Sequence, residues 1–315
     1  MYFRTEITTK KEHDLINHTS DIILIGSCFS DNIGNKLDCF KFKTLVNPYG
    51  VIFNPIAIEN AITQGINSYL YTKEDLYFYN DIWFSFHHHT KFSNNNPEKI
   101  LDTINSSLSS FRLRLKKASH VIVTLGTAWV YRFLETDNIV ANCHKMPQKK
   151  FVKELLTVDE IIESLEASIA LLKSFNNDVM LIFTVSPIRH LKDGFIENQQ
   201  SKSHLIAAVH SVIDARKKIS YFPSYEIMID DLRDYRFYTD DMLHPNTTAI
   251  NYIWDKFTAT WMSDSTIKIM SEIDIIQKSL AHKPFNPTSK KHQDFLKKIE
   301  IDIAKLIKKY PDINF

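Results

Sequence analysis

Runs of apolar residues with the length of β-strands recur along the chain. Continuous apolar character of this kind predicts parallel strands that are buried on both faces. A weaker run covers residues 43–46. The clear runs cover residues 22–26, 121–126, 179–187 and 226–229. Amphipathic patterns typical of helices lie between them, near residues 31–38, 55–66, 97–118, 157–175, 201–218 and 247–262.

Strands that alternate with helices predict a doubly wound α/β fold, in which helices cover both faces of a parallel sheet. Residues 67–95, rich in Tyr, Phe and His, interrupt this alternation and are interpreted as a hairpin or cap. Two further amphipathic helices, separated by HKPFNPTS, follow residue 265. We therefore expect an α/β domain over residues 1–265 and a helical C-terminal extension over residues 266–315.

Composition and charge narrow the classes of function. The chain has 315 residues, 44% hydrophobic and 24% charged, with a net charge of +1, so no bulk field favours nucleic acid or an anionic membrane. The basic helical stretches 111–120 and 290–310 are interpreted as solvated faces rather than membrane-binding surfaces. No apolar run approaches the roughly 18 residues of a membrane span. No cofactor is implied, and the oligomeric state stays open.

Cysteine usage and the N-terminal stretch bear on the compartment. MYFRTEITTKKEH lacks the apolar region of a secretory signal. The three cysteines, Cys28, Cys39 and Cys143, cannot all pair within one chain. We therefore expect a cytoplasmic protein with free thiols.

The stretch DIILIGSCFS, residues 21–30, places two nucleophile-capable side chains after a predicted strand. Ser27 and Cys28 follow Gly26, where the next helix is expected to begin. A helix N-terminus favours developing negative charge and should lower the pKa of a thiol. The alternative is a capping serine beside a small buried cysteine. Ligands of doubly wound sheets bind beyond the carboxyl ends of the strands. The chemistry-bearing residues expected at this edge are Ser27, Cys28, Thr127, Ser186 and Arg189.

A second candidate lies in YTDDMLHPN, residues 238–246. Asp241 precedes His244 by three residues, a spacing at which a carboxylate can orient an imidazole and stabilise its charged form. The alternative is a polar loop that caps the helix predicted at 247–262.

Together, these two segments resemble the nucleophile turn and the D-x-x-H motif of the SGNH (GDSL-type) hydrolases. Gly26 to Ser30 resembles the signature of the GSCFA-domain family, with Ser30 in place of the final alanine. The resemblance covers most of residues 1–290. It implies a flavodoxin-like three-layer sandwich and an ester hydrolase or acyltransferase, with acetylated carbohydrate as one substrate class. Other motifs similar to that family are NPYG (47–50), TLGTAWVY (124–131), ANCHKMP (141–147), SPIRH (186–190), YFPSYEI (221–227), DLRDYRF (231–237) and DMLHP (241–245).

The resemblance also implies roles for individual residues. Aligned on Gly26, the nucleophile position falls on Cys28, and Ser27 is the rival if the turn is shifted. His244 would act as general base and Asp241 would orient it. A cysteine nucleophile suits acyl transfer through a thioester.

The implied oxyanion hole combines the backbone N–H groups of Cys28 and Gly50. The family of hydrolases supplies a third donor from asparagine, but this chain has Ala128 at that position, which puts the usual mechanism in doubt. The residues that could replace it are Thr127, Asn47 and Asn142.

Histidines form another cluster, in WFSFHHHTKFS. Successive residues of a strand point to opposite faces, so three adjacent histidines cannot all reach one metal ion. A zinc site would also need His144 or Cys143. We therefore expect no metal and interpret the run His87, His88 and His89 as polar lining or an exposed loop. By resemblance, His89 is the best placed of them for the pocket, and His144 is a further substrate-binding candidate.

Arginines follow two of the predicted strands. Arg189 is the preferred substrate contact, because arginine at a sheet edge can hold a carboxylate or phosphate. Arg233 and Arg236 are interpreted as partners of the nearby aspartates 230, 231 and 234. The second hypothesis for the whole protein is a catalytically inactive binding module for an acidic or glycosyl ligand, with Arg189 and aromatic residues as contacts.

Overall fold

The computed structural model describes residues 5–315, so the first four residues of the expected 1–265 domain lie outside the described part. A five-stranded parallel sheet forms the centre of this part, in the order β10-β9-β5-β1-β2. The strands are β1 (Asp21–Gly26), β2 (Lys43–Val46), β3 (Tyr77–Tyr79), β4 (Ile82–Phe84), β5 (His120–Leu125), β6 (Trp129–Phe133), β7 (Asn138–Val140), β8 (Phe151–Leu155), β9 (Met180–Val185) and β10 (Ile219–Phe222).

Helices cover both faces of this sheet because each central strand is apolar on both sides. In β1, Ile23 and Ile25 pack with α2 to α5, whereas Ile22 and Leu24 pack with α1 and α7. The fold is thus a three-layer α/β sandwich of the flavodoxin-like kind. The helices are α1 (Cys28–Cys39), α2 (Pro55–Ile66), α3 (Pro97–Leu115), α4 (Val158–Phe175), α5 (Phe195–Val212), α6 (Ser224–Glu226), α7 (Thr247–Trp261), α8 (Asp264–Leu280) and α9 (Lys290–Lys309).

The predicted strand at 226–229 is wrong. Residues Ile227–Leu232 form a π-helical turn that continues α6, and the edge strand of the sheet is β10 instead. The extended chain ends at Pro223, and the Ser224 hydroxyl donates to the carbonyl of Val185 at 2.7 Å. Ile227 and Met228 are both buried, in two different apolar clusters. A short apolar run does not by itself distinguish a strand from a buried helical turn.

The interruption at 67–95 contains an antiparallel hairpin, β3–β4, as predicted. A second antiparallel sheet, in the order β7-β6-β8, was not predicted from the sequence. Phe84 and Phe86 from the hairpin segment pack against Phe133, Val140 and Met146 from the second sheet segment. These two elements therefore form one aromatic subdomain beside the main sheet.

The two C-terminal helices, α8 and α9, are present and pack on each other through Ile273, Ile299 and Leu306, with Phe40 of the α/β region against them. The division of the chain at 265/266 stays a prediction. Among residues 5–315, no helix combines the length and hydrophobicity needed to span a bilayer.

Candidate active site

The turn after β1 is fixed tightly to the sheet. Gly26 has φ +145°, and a Cβ at this position would lie 2.1 Å from the carbonyl oxygen of Thr124, so glycine is required. The Ser27 N–H donates to that same oxygen at 3.1 Å. The buried Ser30 hydroxyl donates to Thr124 Oγ1 at 2.8 Å, which gives the serine at this position of the motif a structural role.

The two nucleophile candidates occupy different environments. Ser27 is buried, and its Oγ accepts a hydrogen bond from the Phe29 N–H at 3.2 Å, so it caps α1. Cys28 is the first residue of the helix, and its side chain reaches solvent. Burial among the surrounding protein atoms raises the pKa of the Cys28 thiol, and the carboxylate of Asp31 raises it further. The predicted lowering of this pKa is therefore wrong, because these effects exceed the contribution of the helix N-terminus.

Asn47 connects the turn to α1. Its Oδ1 accepts from the Gly26 N–H at 2.9 Å, and its Nδ2 donates to Asp31 Oδ1 at 2.6 Å. The Gly50 N–H donates to the Asn47 carbonyl at 2.8 Å. The Gly50 N–H, which the sequence assigned to the oxyanion hole, and the amide of Asn47, one of the three possible replacement donors, thus each have a partner within the protein.

The other two replacement donors are also engaged. The Thr127 hydroxyl is hydrogen bonded to Ser201 Oγ at 2.9 Å and accepts from the Trp129 N–H at 3.0 Å. Asn142 Oδ1 accepts from the His144 N–H at 2.8 Å, and its Nδ2 donates to Thr90 Oγ1 at 3.3 Å. The structure therefore uses these side chains to hold loops together, and their role as replacement oxyanion donors stays a prediction.

Asp241 and His244 form a direct pair. His244 Nδ1 lies 2.6 Å from Asp241 Oδ2, and the two side chains are 46% and 45% exposed. The other carboxylate oxygen, Oδ1, accepts from the N–H groups of Leu243 and His244 and from the Thr239 hydroxyl. These hydrogen bonds hold the pKa of Asp241 well below its usual range. The carboxylate is thus ionised and fixed against one ring nitrogen of His244.

The His244 loop reaches the same edge of the sheet as the Cys28 turn. The Arg189 N–H, just beyond β9, donates to the carbonyl of Leu243 at 3.3 Å. His244 also contributes, after burial and Lys202, to lowering the pKa of His190 to about 3. Among the described residues, no hydrogen bond joins the His244 side chain to Ser27 or Cys28. The predicted chemistry depends on direct contact between the His244 ring and one of these two side chains, and that contact stays a prediction.

Lys202 is a feature of this edge that the sequence interpretation missed. It is fully buried on α5, and its Nζ donates to the carbonyls of Gly126 at 2.7 Å and Ser186 at 2.8 Å. Burial lowers its pKa to about 7. The ammonium group thus bridges the chain beyond β5 and β9. The available signal was the helical spacing, because Lys202 lies three positions before Leu205 and seven before Val209, on the apolar face of the helix.

The histidine run points in several directions. His88 is buried and stacks on Tyr49 with ring centroids 4.6 Å apart, whereas His87 Nδ1 lies 3.1 Å from Gln64 Nε2. His89 Nδ1 accepts a hydrogen bond from the Lys91 N–H. His89 also packs closely on Gly50, because a Cβ placed on Gly50 would lie 2.3 Å from the Cβ of His89. Within residues 5–315, no group of three or more His, Cys, Asp or Glu side chains is placed to hold a metal ion.

His89 and His144 have distinct surroundings. Burial and Lys91 lower the pKa of His89, while Asp31 opposes this, so His89 lies within electrostatic reach of the carboxylate beside Cys28. His144 is buried, its Nε2 lies 2.9 Å from the Ser85 carbonyl, and burial lowers its pKa to about 4. His144 thus packs on the hairpin segment, whereas His89 is coupled to the carboxylate beside Cys28.

The arginines beyond the strands make mostly structural contacts. The Arg189 guanidinium lies 5.4 Å from the ring centroid of Tyr238, and its role as a substrate contact stays a prediction. Arg236 pairs with Asp234 at 3.6 Å. Asp231 is buried and accepts from the Tyr252 hydroxyl at 2.8 Å.

A cavity of about 560 Å³ opens beside the ends of β5 and β9. Thr127, Asn142 and His144 lie on its wall, whereas Cys28, Asp241 and His244 do not. Phe53 and His190 also line it, with ring centroids 5.4 Å apart. The cavity thus borders the carboxyl edge of the sheet without containing the candidate nucleophile or base.

Comparison with known proteins identifies the family. A model described as the GSCFA family matches residues 21–257, and one described as the C-terminal domain of GSCFA domain proteins matches residues 273–315. No curated protein matches the chain. A carbohydrate esterase family 3 protein from Talaromyces cellulolyticus is similar in structure, with 10% identity and a TM-score of 0.37, over 80% of this chain and 99% of that one. Because the first model spans most of the chain, this protein belongs to the GSCFA family.

Proposed function

We propose that the protein is an ester hydrolase or acyltransferase that works through Cys28, His244 and Asp241. The observation that carries the proposal is the Asp241–His244 pair, with Nδ1 of the imidazole 2.6 Å from an ionised carboxylate. Such a carboxylate fixes the tautomer in which the opposite nitrogen, Nε2, is free to accept a proton. The likeness of the nucleophile turn to SGNH hydrolases supports the same chemistry.

The contacts of the turn favour Cys28 over Ser27 as nucleophile. The Ser27 hydroxyl is buried and serves as the cap of α1, whereas the Cys28 thiol reaches solvent at the start of the same helix. Because the pKa of the Cys28 thiol is raised, little thiolate forms unaided at neutral pH. Cys28 therefore depends on a base, and His244 is proposed to supply it.

In the proposed reaction, the thiol proton passes to Nε2 of His244 as Sγ adds to the ester carbonyl. The carbonyl π electrons move to oxygen, where the Cys28 N–H at the helix N-terminus stabilises the charge. Collapse of this intermediate breaks the ester bond, and the alkoxide leaves with the proton from His244. Water or an acceptor hydroxyl then attacks the thioester, His244 again takes the proton, and the thiol is regenerated.

The test is turnover of p-nitrophenyl esters by the full chain and by single variants. Cys28→Ala and His244→Ala should each reduce turnover at least about a hundredfold, as expected for loss of a nucleophile or a general base. Cys39→Ala is the matched control, because Cys39 is another exposed free thiol on the same helix. It should leave turnover unchanged.

Alkylation by iodoacetamide gives a second readout that needs no ester substrate. Mass spectrometry should show Cys28 labelling that slows in His244→Ala, because the base no longer assists thiolate formation. Equal labelling of all three cysteines, unaffected by His244→Ala and accompanied by no turnover, would instead favour a binding module for an acidic or glycosyl ligand.

A further inference from the structure

The cavity beside β5 and β9 has a largely apolar wall. Its volume of about 560 Å³ falls within the range of about 300–1,000 Å³ typical of small-molecule pockets. Aromatic rings come from the loop after β2 and from strands β6 and β8 of the second sheet. The apolar lining residues are Phe53, Trp129, Tyr131, Val140, Ala141, Met146 and Phe151.

Several polar groups on this wall already have partners inside the protein. Asn54 Oδ1 accepts from the Ala57 N–H at 2.8 Å, and its amide points to the Val140 carbonyl. Thr127 is bonded to Ser201, and His144 lies against the Ser85 carbonyl. The Trp129 Nε1–H donates to the Glu197 carbonyl at 3.1 Å. His190 Nε2, in contrast, is buried on this wall without a hydrogen-bond partner among the described residues. The wall therefore offers a ligand a few polar contacts, but it is mainly apolar and favours an apolar group.

Two wall residues connect the cavity to the halves of the candidate site. His190 faces Phe53 and is electrostatically coupled to His244. Asn142 bonds to Thr90, which directly follows His89. His89 packs closely against Gly50, because a Cβ placed on Gly50 would lie 2.3 Å from the Cβ of His89. His190 thus relates the cavity to the base, and a series of contacts through Asn142, Thr90 and His89 leads from its wall to Gly50.

We propose that this cavity holds the acyl chain of the substrate, and that the chain is a medium-length apolar one rather than an acetyl group. The proposal rests on the proposed function, because it assumes an ester substrate and places the acyl group of that ester in the cavity. An acetyl group would fill only a small part of the cavity and leave most of the apolar wall in contact with water. An apolar chain covers that wall and leaves the ester carbonyl at the sheet edge.

Binding can be measured without chemistry in the Cys28→Ala variant of the full chain. Isothermal titration calorimetry with octanoate, 1-octanol and acetate separates apolar contact from charge. Octanoate and 1-octanol should both bind, with a negative heat-capacity change, and acetate should bind at least tenfold more weakly. Binding of octanoate without 1-octanol would show that the exposed lysines on the lining, Lys145 and Lys192, attract the carboxylate, and it would overturn the proposal.

A variant that fills the cavity localises the binding. Ala141→Phe adds a ring on the wall and should weaken octanoate binding at least tenfold. Leu134→Phe is the matched control, because Leu134 is 55% exposed and lies outside the lining. Cys143→Phe, on the half-buried part of the same wall, takes the place of Ala141→Phe if that variant does not fold. Unchanged binding in a folded wall variant would place the chain elsewhere and overturn the proposal.

Turnover separates this proposal from the proposed function. With a p-nitrophenyl ester series, the wild type should prefer octanoate over acetate, and Ala141→Phe should reverse that preference. Octanoate binding to the cavity with no turnover of any ester would refute the enzyme but retain an apolar-ligand site. Turnover confined to acetate esters, with no octanoate binding, would retain the enzyme and refute the acyl pocket.

Discussion

The nucleophile turn and the His244 loop are held in place in different ways. Gly26 and Ser27 bond to Asn47 and Thr124, residues that are 21 and 97 positions away in the chain. Asp241, in contrast, bonds to groups within three residues of itself. The turn is therefore part of the sheet, whereas the Asp241–His244 pair is a local motif on an exposed loop. The sheet fixes one half of the candidate site, and the other half depends mainly on its own short segment.

Lys202 lies in the region that is anchored to the sheet, and it should have the largest effect on how the stability of the protein depends on pH. Its pKa of about 7 in the folded protein lies below the 10.5 of an ordinary lysine, so the unfolded chain binds more protons between these values. Stability should therefore rise with pH in this window, by up to about 1.4 kcal/mol per pH unit. In Lys202→Met this contribution is absent.

Urea unfolding at pH 7 and pH 9 measures this difference. The free energy of unfolding of the wild type, relative to Lys202→Met, should increase by about 2 kcal/mol over that interval. Lys268→Met, at an exposed position of α8, is the control and should follow the wild type. If Lys202→Met follows the wild type as well, the buried ammonium does not couple to folding.

Asp31 lies within the anchored turn, and its charge should set the reactivity of Cys28. The carboxylate disfavours the thiolate, so Asp31→Asn should lower the thiol pKa and raise the rate of iodoacetamide labelling severalfold at neutral pH. An asparagine at this position keeps a side-chain oxygen that can accept from the Asn47 amide. The substitution therefore removes the charge while preserving the bond.

The control for Asp31→Asn is Asp38→Asn, an exposed carboxylate near the other end of α1. Labelling of Cys28 should be unchanged in this variant. Equal rates for wild type and Asp31→Asn would mean that burial alone accounts for the raised pKa of the thiol.

The sequence predicts the parts of this molecule that depend on neighbouring residues and misses those that depend on distant ones. Continuous apolar runs correctly predict β1, β5 and β9, because burial on both faces leaves a clear pattern. The three-residue spacing correctly suggests that Asp241 can reach His244.

Contacts between residues that are distant in the sequence could not be predicted from these local patterns. Asn47 was one of three candidates for the replacement oxyanion donor, and nothing in the sequence indicated that its side chain joins Gly26 to Asp31. The Lys202 bridge links groups 76 and 16 residues away, and no local pattern specifies such partners. The prediction of a lowered pKa for Cys28 was wrong for the same reason. It took into account the helix N-terminus but not the packing around the thiol.

Titration of Asp241 in the exposed Asp241–His244 loop should have the smallest effect on stability, and this effect should appear at acidic pH. Four hydrogen bonds depress the pKa of Asp241 in the folded protein, so its contribution is present above the ordinary aspartate pKa of 3.8 and is lost as pH falls through the lower folded value. Solvent screening keeps that contribution modest. In urea unfolding between pH 5 and pH 3, Asp241→Asn should lose slightly less stability than the wild type, and the neighbouring Asp240→Asn should match the wild type. If Asp241→Asn lost as much stability at pH 7 as a core substitution does, the loop would be coupled to the sheet. The contrast between the two halves of the site would then no longer hold.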